Sequence, residues 1–251
     1  MNRRRWLIGA VGVATTMLTA CGRVGADLSE QARRMSEGLT RRMQRLIVPR
    51  DALAPTYSRA EISPDFRPNG SVDPAASDYL ALKADGFAGY RLVVDGLVDR
   101  PLSLSLADLR ARPAQTQITK HDCVEGWTSI AEWTGVRLEA LLDEAGLKPD
   151  AKYVVFHCFD ALDQQEDGER YYESIDMIDA RHPQTILAYA MNGETLPVPH
   201  GAPLRLRVER QLGYKHAKYI RRIEAVDSFA DIGGGKGGYW EDRGYEWYAG
   251  I

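Results

Sequence analysis

The order of strand-like and helix-like segments is the feature that most constrains how this chain folds. Apolar, β-branched runs at 89–98, 153–159 and 203–208 are interspersed with helix-like stretches at 105–109 and 136–146. These segments form no repeated strand–helix–strand unit, which a doubly wound parallel sheet requires. The sequence therefore predicts an α+β domain with mixed sheets.

Local signals predict where several of these elements begin and end. Asp95-Gly96 lies between two β-branched runs and is typical of a hairpin turn. Ser105 is typical of a helix N-cap, and Gly146 of the residue that ends a helix. The apolar face of that helix carries Leu138, Leu141, Leu142 and Ala145. The segment 203–208 alternates apolar residues with arginine, which indicates a strand.

Residues 1–20 have the layout of a signal peptide, with a basic start, an apolar run of about 14 residues and a small-residue exit. The segment NRRRWL, with Arg3 and Arg4, resembles a twin-arginine signal, and LTAC, ending at Cys21, resembles a lipoprotein processing site. A plain signal peptide cut near Ala20 is the alternative. The first interpretation predicts a lipid-anchored protein on the periplasmic side of the cell envelope.

Residues 21–68 are expected to hold an anchored helix and an extended strap. Within 27–47, apolar residues recur at helical spacing among many arginines, which predicts an amphipathic helix. The arginines suit either anionic lipid headgroups or a solvated face packed on the domain. The segment 49–74 is rich in Pro, Ser and Asp and predicts a strap without regular structure. The main domain is then 69–251.

Charge and cysteine content narrow the classes of function. Without residues 1–20, 29 Lys and Arg stand against 35 Asp and Glu, a net charge of −6, which disfavours a nucleic-acid partner. Cys123 and Cys158 are then the cysteines of the main domain. In an oxidising compartment a disulfide between them is one interpretation, and a metal-bound thiolate is the other.

Two segments indicate a site for a metal and an anion. HDCVEGW, residues 121–127, places Cys123 between a polar approach and an aromatic turn. A cysteine thiolate is a soft metal ligand, and Lys120 or a protonated His121 is expected to favour that anionic form. Residues 200–220 combine many Arg and Lys residues with a tyrosine-containing turn, which suits a phosphorylated ligand.

These segments resemble the molybdopterin-binding domain of the sulfite oxidase superfamily, in the bacterial branch that includes the periplasmic protein-methionine-sulfoxide reductase catalytic subunit. Residues 121–146 resemble its metal-ligand segment, 188–206 its pterin segment and 212–220 its phosphate-holding turn. The resemblance runs from about Asn69 to the C-terminus. It implies a sulfite-oxidase-type fold and one Mo-molybdopterin per chain, with no haem and no iron–sulfur cluster.

The resemblance implies roles for individual residues. Cys123 stands at the position of the molybdenum ligand, and Tyr245 lies near a tyrosine that sulfite oxidases keep in the active site. Glu125 is expected to order the loop and Trp127 to pack. The positions that would contact the pterin or its phosphate are Asn69, Cys158, His200, Arg205, His216, Ala217 and Lys218.

Some residues differ from those of the family at the matching positions, and others have no role that the resemblance implies. Cys158 stands where the sulfoxide-reductase branch has threonine, and His200 where it has asparagine. Arg207, Arg210 and Lys215 are expected to be surface charges or outer contacts of the site. A rival zinc site would use His121, Cys123, His157 and Cys158, but adjacent strand residues such as the last two point to opposite faces.

The predicted function is two-electron oxygen-atom transfer at molybdenum in an exported oxidoreductase. The segment 123–129 has no arginine to hold a sulfite dianion, which favours reduction of S- or N-oxides, in a small molecule or a protein. Sulfite dehydrogenase-like oxidation is the alternative, since His200 resembles sulfite oxidases, and a non-catalytic lipoprotein binding module is a second. The sequence lacks a CxxCH haem motif, so a membrane haem b quinone oxidoreductase or a c-type cytochrome is the expected electron partner.

Overall fold

The computed structural model describes residues 38–40, 42–163 and 168–251. The predicted signal peptide, Cys21 and the first part of the predicted amphipathic helix lie outside these residues. The chain divides into two compact units, Met1–Val48 and Pro49–Ile251. In the first unit, residues 38–40 and 42–47 are helical. Within the described ranges, no helix is both long enough and apolar enough to span a bilayer.

Among the described residues of the second unit, ten strands form two sheets. They are β1 (Leu92–Gly96), β2 (Leu102–Leu104), β3 (Ala114–Asp122), β4 (Thr128–Arg137), β5 (Tyr153–Ala161), β6 (Arg170–Asp176), β7 (Ile186–Met191), β8 (Glu194–Thr195), β9 (Arg205–Arg207) and β10 (Ile220–Val226). One sheet has the order β2-β1-β10-β5-β6, and the other has β3-β4-β7-β8 with β9 also paired to β7. Strands β1 and β10 are parallel, whereas β5 is antiparallel to both its neighbours. The predicted α+β class with mixed sheets is confirmed.

The helices of this unit are short and lie between the strands. The α-helices are Ser77–Ala84, Leu106–Arg110, Leu138–Ala145 and Met177–Ala180, and the 3₁₀ turns are Arg59–Glu61, Val198–His200 and Gly213–Lys215. Ser105 caps its helix as predicted, since its Oγ accepts a hydrogen bond from the Asp108 amide at 3.1 Å. The predicted buried strand 153–159 is β5, which continues to Ala161.

The predicted hairpin turn at Asp95-Gly96 is wrong. Both residues belong to β1, and the antiparallel pair of β1 and β2 is joined by residues 97–101 instead. Gly96 is needed for close approach of another strand, because a Cβ there would lie 2.3 Å from the Ala225 carbonyl oxygen of β10. A glycine that admits a distant strand looks the same in sequence as a turn glycine.

Gly146 ends the helix Leu138–Ala145 in the left-handed conformation, with φ +71°. We expect Gly146→Ala to lower the free energy of unfolding by about 1–2 kcal/mol, because a Cβ is disfavoured at this φ and would lie 3.3 Å from Asp99. Urea titration followed by circular dichroism measures the change. Gly86→Ala is the comparison, since Gly86 has φ +64° with open space around it. An unchanged midpoint for Gly146→Ala would contradict this account.

The apolar core consists of two clusters of buried residues, which come from the strands of both sheets and from the helices. The larger cluster includes Leu141 and Leu142 of the helix, Phe156 and Cys158 of β5, and Ile223 of β10. A smaller cluster surrounds Trp133 of β4, which is fully buried.

Candidate active site

A cleft brings several predicted site residues together. Its lining comes from the strap, the loop after β3, the ends of β5 and β6, the segment 213–218 and the C-terminal segment. The predicted site residues that line it are Asn69, Cys123, His216, Lys218 and Tyr245. These residues are far apart in sequence, so the fold itself assembles them.

Cys123 lies in a tight loop between β3 and β4. Its amide donates to the Trp127 carbonyl at 2.9 Å, and the Gly126 amide donates to the Cys123 carbonyl at 3.0 Å. Trp127 donates its indole N–H to Glu125 at 2.9 Å, and its ring packs against Phe66. The expected roles of Glu125 in ordering the loop and of Trp127 in packing agree with these contacts.

The expected source of a thiolate at Cys123 is wrong. Lys120 pairs with Asp122 at 2.9 Å, and burial together with His216 and three cationic neighbours lowers the pKa of His121 well below its usual range, so this imidazole is neutral. Burial raises the pKa of the Cys123 thiol, although backbone N–H groups of Glu125 and Val124 oppose this. Deprotonation therefore requires a positive group bound at the sulfur itself, as a metal ion provides.

Lys218 and Asp160 are a pair of buried ionisable groups in the lining of the cleft, and each affects the pKa of the other. Lys218 donates to the Pro199 carbonyl at 3.0 Å and to the Ser71 carbonyl. Burial and Arg205 lower the pKa of Lys218 to about 7, while Asp160 opposes the shift. Burial raises the pKa of Asp160 to about 6, against the lowering effects of Ser71 and Lys218. This pair gives the cleft a cation whose charge an anionic ligand would stabilise.

Arg205 is completely buried beside the cleft. Its Nη1 donates to the His200 carbonyl at 2.9 Å, and its guanidinium lies 4.7 Å from the centre of the Trp133 ring. Arg207 lies 4.5 Å from the same ring, and burial with the charge of Arg207 lowers the pKa of Arg205 to about 9. Two cations therefore lie against one indole, which positions Arg205 within the interior.

The remaining predicted contact residues lie close to these cations. Burial and Arg205 lower the pKa of His200 to about 4, so its ring is neutral. His216 donates its Nε2–H to the Gln211 carbonyl at 3.0 Å. The Ala217 carbonyl accepts from the Leu206 amide at 2.8 Å. Ala217, His200 and Arg205 lie outside the lining of the cleft as it is described.

Cys158 is part of the apolar core rather than the cleft lining. It is fully buried on β5, and Cys158 and Cys123 are both free thiols, so the disulfide interpretation is not supported. His157 binds Glu224 at 2.8 Å. Among the residues that the structure describes, no three His, Cys, Asp or Glu side chains are grouped to hold a metal, and the rival zinc site is wrong.

Of the two expectations for Arg207, Arg210 and Lys215, that of surface charges is wrong, whereas that of outer contacts of the site stays a prediction. All three are buried, and each binds a buried carboxylate. Arg207 pairs with Glu209 at 2.5 Å, Arg210 with Asp179 at 2.7 Å, and Lys215 with both Glu173 and Glu241. Buried ions require such partners because desolvation is costly.

The buried polar atoms fit the phosphorylated pterin that the sequence resemblance implies. In the described part of the chain, several such atoms near the cleft lack a hydrogen-bond partner: Arg205 Nε and Nη2, His200 Nδ1 and His216 Nδ1. Unsatisfied buried groups are rare in folded proteins and point to a missing ligand. Guanidinium donors suit a phosphate, and mixed donors and acceptors suit a heterocycle.

Several lining residues were not predicted from the sequence. Ser71 and Asp160 lie at the polar end, and Asp160 is only two residues beyond the predicted Cys158. Four aromatic residues also line the cleft, and we call them the aromatic wall: Tyr171, Tyr214, Trp240 and Tyr245. Of this wall, Tyr245 was predicted from the resemblance, whereas Tyr171, Tyr214 and Trp240 were not predicted.

Comparison with known proteins agrees with the geometry. Residues 80–231 match the family model described as the oxidoreductase molybdopterin binding domain. The candidate protein-methionine-sulfoxide reductase subunit YedZ1 of Azospira oryzae is 37% identical over 94% of this chain and 82% of its own length.

Two catalytic subunits named MsrP, protein-methionine-sulfoxide reductases, are also similar. The Gluconobacter oxydans protein is 34% identical over 55% of this chain, and the Campylobacter jejuni protein is 32% identical over 54%. The matched regions span 47% and 48% of those relatives, about half their length. Among solved structures, the sulfane dehydrogenase SoxCD of Paracoccus pantotrophus matches with a TM-score of 0.50 and 30% identity, over 56% of this chain and 39% of that one.

Proposed function

Because this chain belongs to the oxidoreductase molybdopterin-binding domain family and is therefore a molybdenum-dependent oxidoreductase, we propose that it reduces S- or N-oxides. Methionine sulfoxide, free or in a protein, is the substrate class that the names of the relatives favour. The proposal supposes an exported catalytic subunit that receives electrons from another protein.

The residues around Cys123 favour an uncharged substrate over an anionic one. The cleft that contains this thiol is also lined by Val124, Glu125, Leu162 and the aromatic wall. The lysine in its lining, Lys218, donates to the carbonyls of Ser71 and Pro199. Arg67 reaches towards the loop from the strap, but it is 4.0 Å from Glu125 and lies over the Trp127 ring. An uncharged sulfoxide avoids the desolvation cost that a sulfite dianion would meet on such a surface.

Different residues of this chain would bind the pterin, ligate the metal and bind the substrate. Arg205 and Lys218 would hold the phosphate of the pterin, and His200, His216 and Asn69 would contact the rest of it. Cys123 would ligate the metal through its thiolate. When bound, the molybdenum cofactor supplies two-electron oxygen-atom transfer. The aromatic wall would bind the apolar part of the substrate and exclude water.

Turnover of purified protein tests the proposal. Protein from a molybdenum-replete host should reduce methionine sulfoxide with a reduced viologen as donor, and Cys123→Ala should lose this activity. Oxidation of the viologen at the rate of buffer alone, by protein that contains the cofactor, would contradict the proposal. A protein that takes up neither molybdenum nor pterin would instead support a non-catalytic binding module.

Oxidation of a sulfur compound is the second candidate. The similarity to the sulfane dehydrogenase SoxCD and the histidine at position 200 favour it. The same preparation should therefore be assayed with sulfite and ferricyanide as acceptor. Oxidation faster than sulfoxide reduction would reverse the preferred direction.

We also propose that the protein is exported and lipid-anchored on the periplasmic side, where a membrane haem b quinone oxidoreductase or a c-type cytochrome supplies electrons. The support is the sequence of residues 1–21, with NRRRWL and LTAC. Export in a folded state suits a protein whose cofactor would be bound by the buried residues Arg205, His216 and Lys218.

Changing Arg3 and Arg4 to lysine tests the export route. We expect the variant to remain in the cytoplasm, because the twin-arginine pathway recognises the arginine pair rather than positive charge alone. Cell fractionation with immunodetection measures the distribution, and Arg5→Lys is the matched control. Normal export of the wild-type protein by a strain without the twin-arginine translocase would refute this route.

A further inference from the structure

Three ionisable side chains lie in the interior next to the aromatic wall. Lys215 donates through Nζ to Glu173 and, at 2.6 Å, to Glu241. The side chains of Lys215, Glu173 and Glu241 are 0%, 0% and 1% exposed. The Lys215 ammonium also lies 6.0 Å from the centre of the Tyr214 ring. This cluster is therefore in contact with one residue of the wall and is sealed from solvent.

Each member of the cluster comes from an element that contributes to the wall. Glu173 is on β6, two residues after Tyr171 and on the same face of the strand. Lys215 ends the 3₁₀ turn that contains Tyr214. Glu241 lies in the C-terminal segment between Trp240 and Tyr245. The ammonium thus joins the three elements that carry the wall.

The wall itself is a set of rings in contact across these elements. Trp240 stacks on Tyr245 with centroids 5.1 Å apart, and Tyr245 meets Tyr214 edge-on at 5.2 Å. Tyr171 stacks at 5.6 Å on Tyr239, which is next to Trp240. A shift of the C-terminal segment would therefore separate rings on both sides of it.

The cluster of Lys215, Glu173 and Glu241 depends on the positive charge of Lys215. Burial and Glu241 raise the pKa of Glu173 well above its usual range, against the effect of Lys215. Burial alone would lower the pKa of Lys215, but Glu173 and Glu241 raise it above its ordinary value. Without the ammonium, the two carboxyl groups would lose the charge that holds them together.

We propose that Lys215 is a positioning residue: by binding Glu173 and Glu241 it sets the position of the aromatic wall, and through the wall the affinity for the substrate. This inference rests on the proposed function for the substrate, but the position of the wall can be measured without it.

Lys215→Met tests the inference, because methionine keeps the approximate length of the side chain and removes the charge. We expect the KM for methionine sulfoxide to rise at least tenfold, while kcat changes less than threefold and the molybdenum content stays at the wild-type level. Hydrogen–deuterium exchange should quicken at the amides of Tyr239, Asp242 and Tyr245, which bond to backbone carbonyls in the wild-type protein.

Arg210→Met is the matched control, since it removes a cation from another buried ion pair, with Asp179. It should lower thermal stability without changing the KM or the exchange of these amides. Gly238→Ala is a second variant that removes no charge. Its Cβ would lie 2.1 Å from Glu241 Oε2 and 2.8 Å from Glu173 Oε1, so it should displace the carboxyl groups and also raise the KM.

If Lys215→Met does not fold, Gly238→Ala decides the question. A folded Lys215→Met or Gly238→Ala protein with wild-type exchange at these amides overturns the inference, and so does a KM within twofold of wild type. If the wild-type protein does not reduce sulfoxides, the proposed function fails, whereas the exchange measurement still decides whether Lys215 positions the wall.

Discussion

Cys123→Ser will abolish turnover while most of the pterin stays bound. A serine hydroxyl is a harder and much weaker donor than a thiolate at neutral pH, so the metal loses the ligand that the protein supplies. We expect kcat to fall at least about 100-fold, which corresponds to ~3 kcal/mol of barrier. The pterin should remain because Arg205 and Lys218 are held by other elements, β9 and the segment after the 213–215 turn.

Parallel measurements of molybdenum, extractable pterin and viologen-dependent sulfoxide reduction check this expectation. Cys123→Ala is the companion variant, because it removes the sulfur without adding a hydroxyl and should be equally inactive. Wild-type activity together with an unchanged molybdenum absorption spectrum in Cys123→Ser would mean that this sulfur is not the ligand.

Arg205→Ala will have the opposite effect and lower the cofactor content itself. Arg205 Nε and Nη2 are buried, and neither has a partner within the described residues, so both are available to an anion. Charge-assisted hydrogen bonds contribute about 1.5–3 kcal/mol each, which predicts a loss of affinity of at least about tenfold. Protein purified from a molybdenum-replete host should therefore contain less than half of the wild-type pterin.

Arg205→Lys tests whether the pterin needs only the positive charge at this position or also the geometry of the guanidinium group. Lysine keeps the positive charge but lacks the fork of the guanidinium, so we expect partial recovery of the pterin content. Oxidative extraction followed by fluorescence measures the pterin, and the melting temperature reports the loss of the contact with Trp133. Full pterin content in Arg205→Ala would show that the anion is held elsewhere.

Features that depend on local sequence were predicted well. The Ser105 cap and the Gly146 helix end involve backbone within four residues, and both are found. β5 was evident because a run of β-branched and aromatic residues has few other stable conformations in a core. The order of these elements then excluded a doubly wound fold.

Features that depend on distant partners were not predicted. Asp95-Gly96 resembled a turn because nothing near it shows that β10 will pack against Gly96. Lys215 resembled a surface charge because its partners, Glu173 and Glu241, lie far from it in the sequence. A local pattern cannot distinguish solvent from a buried counterion.

The residues of the candidate site were predicted from the resemblance to a family, and not from local features of the sequence. Asn69, Cys123, His216, Lys218 and Tyr245 lie in one cleft, and all were named on the sequence resemblance. Periodicity and composition could not have assembled them. The prediction that neighbouring cations favour a Cys123 thiolate was wrong, because burial raises the pKa of this thiol. Of the two neighbours in sequence, Lys120 is paired with Asp122, and the lowered pKa of His121 leaves it neutral.

Molybdenum and pterin content of the wild-type protein is the most direct test of the central claim, that this cleft binds a molybdopterin through Cys123 and its buried cations. Elemental analysis and pterin extraction should be made on folded protein from a molybdenum-replete host. The account predicts about one molybdenum atom and about one pterin per chain. Folded protein with neither, or with stoichiometric zinc in place of molybdenum, would contradict it.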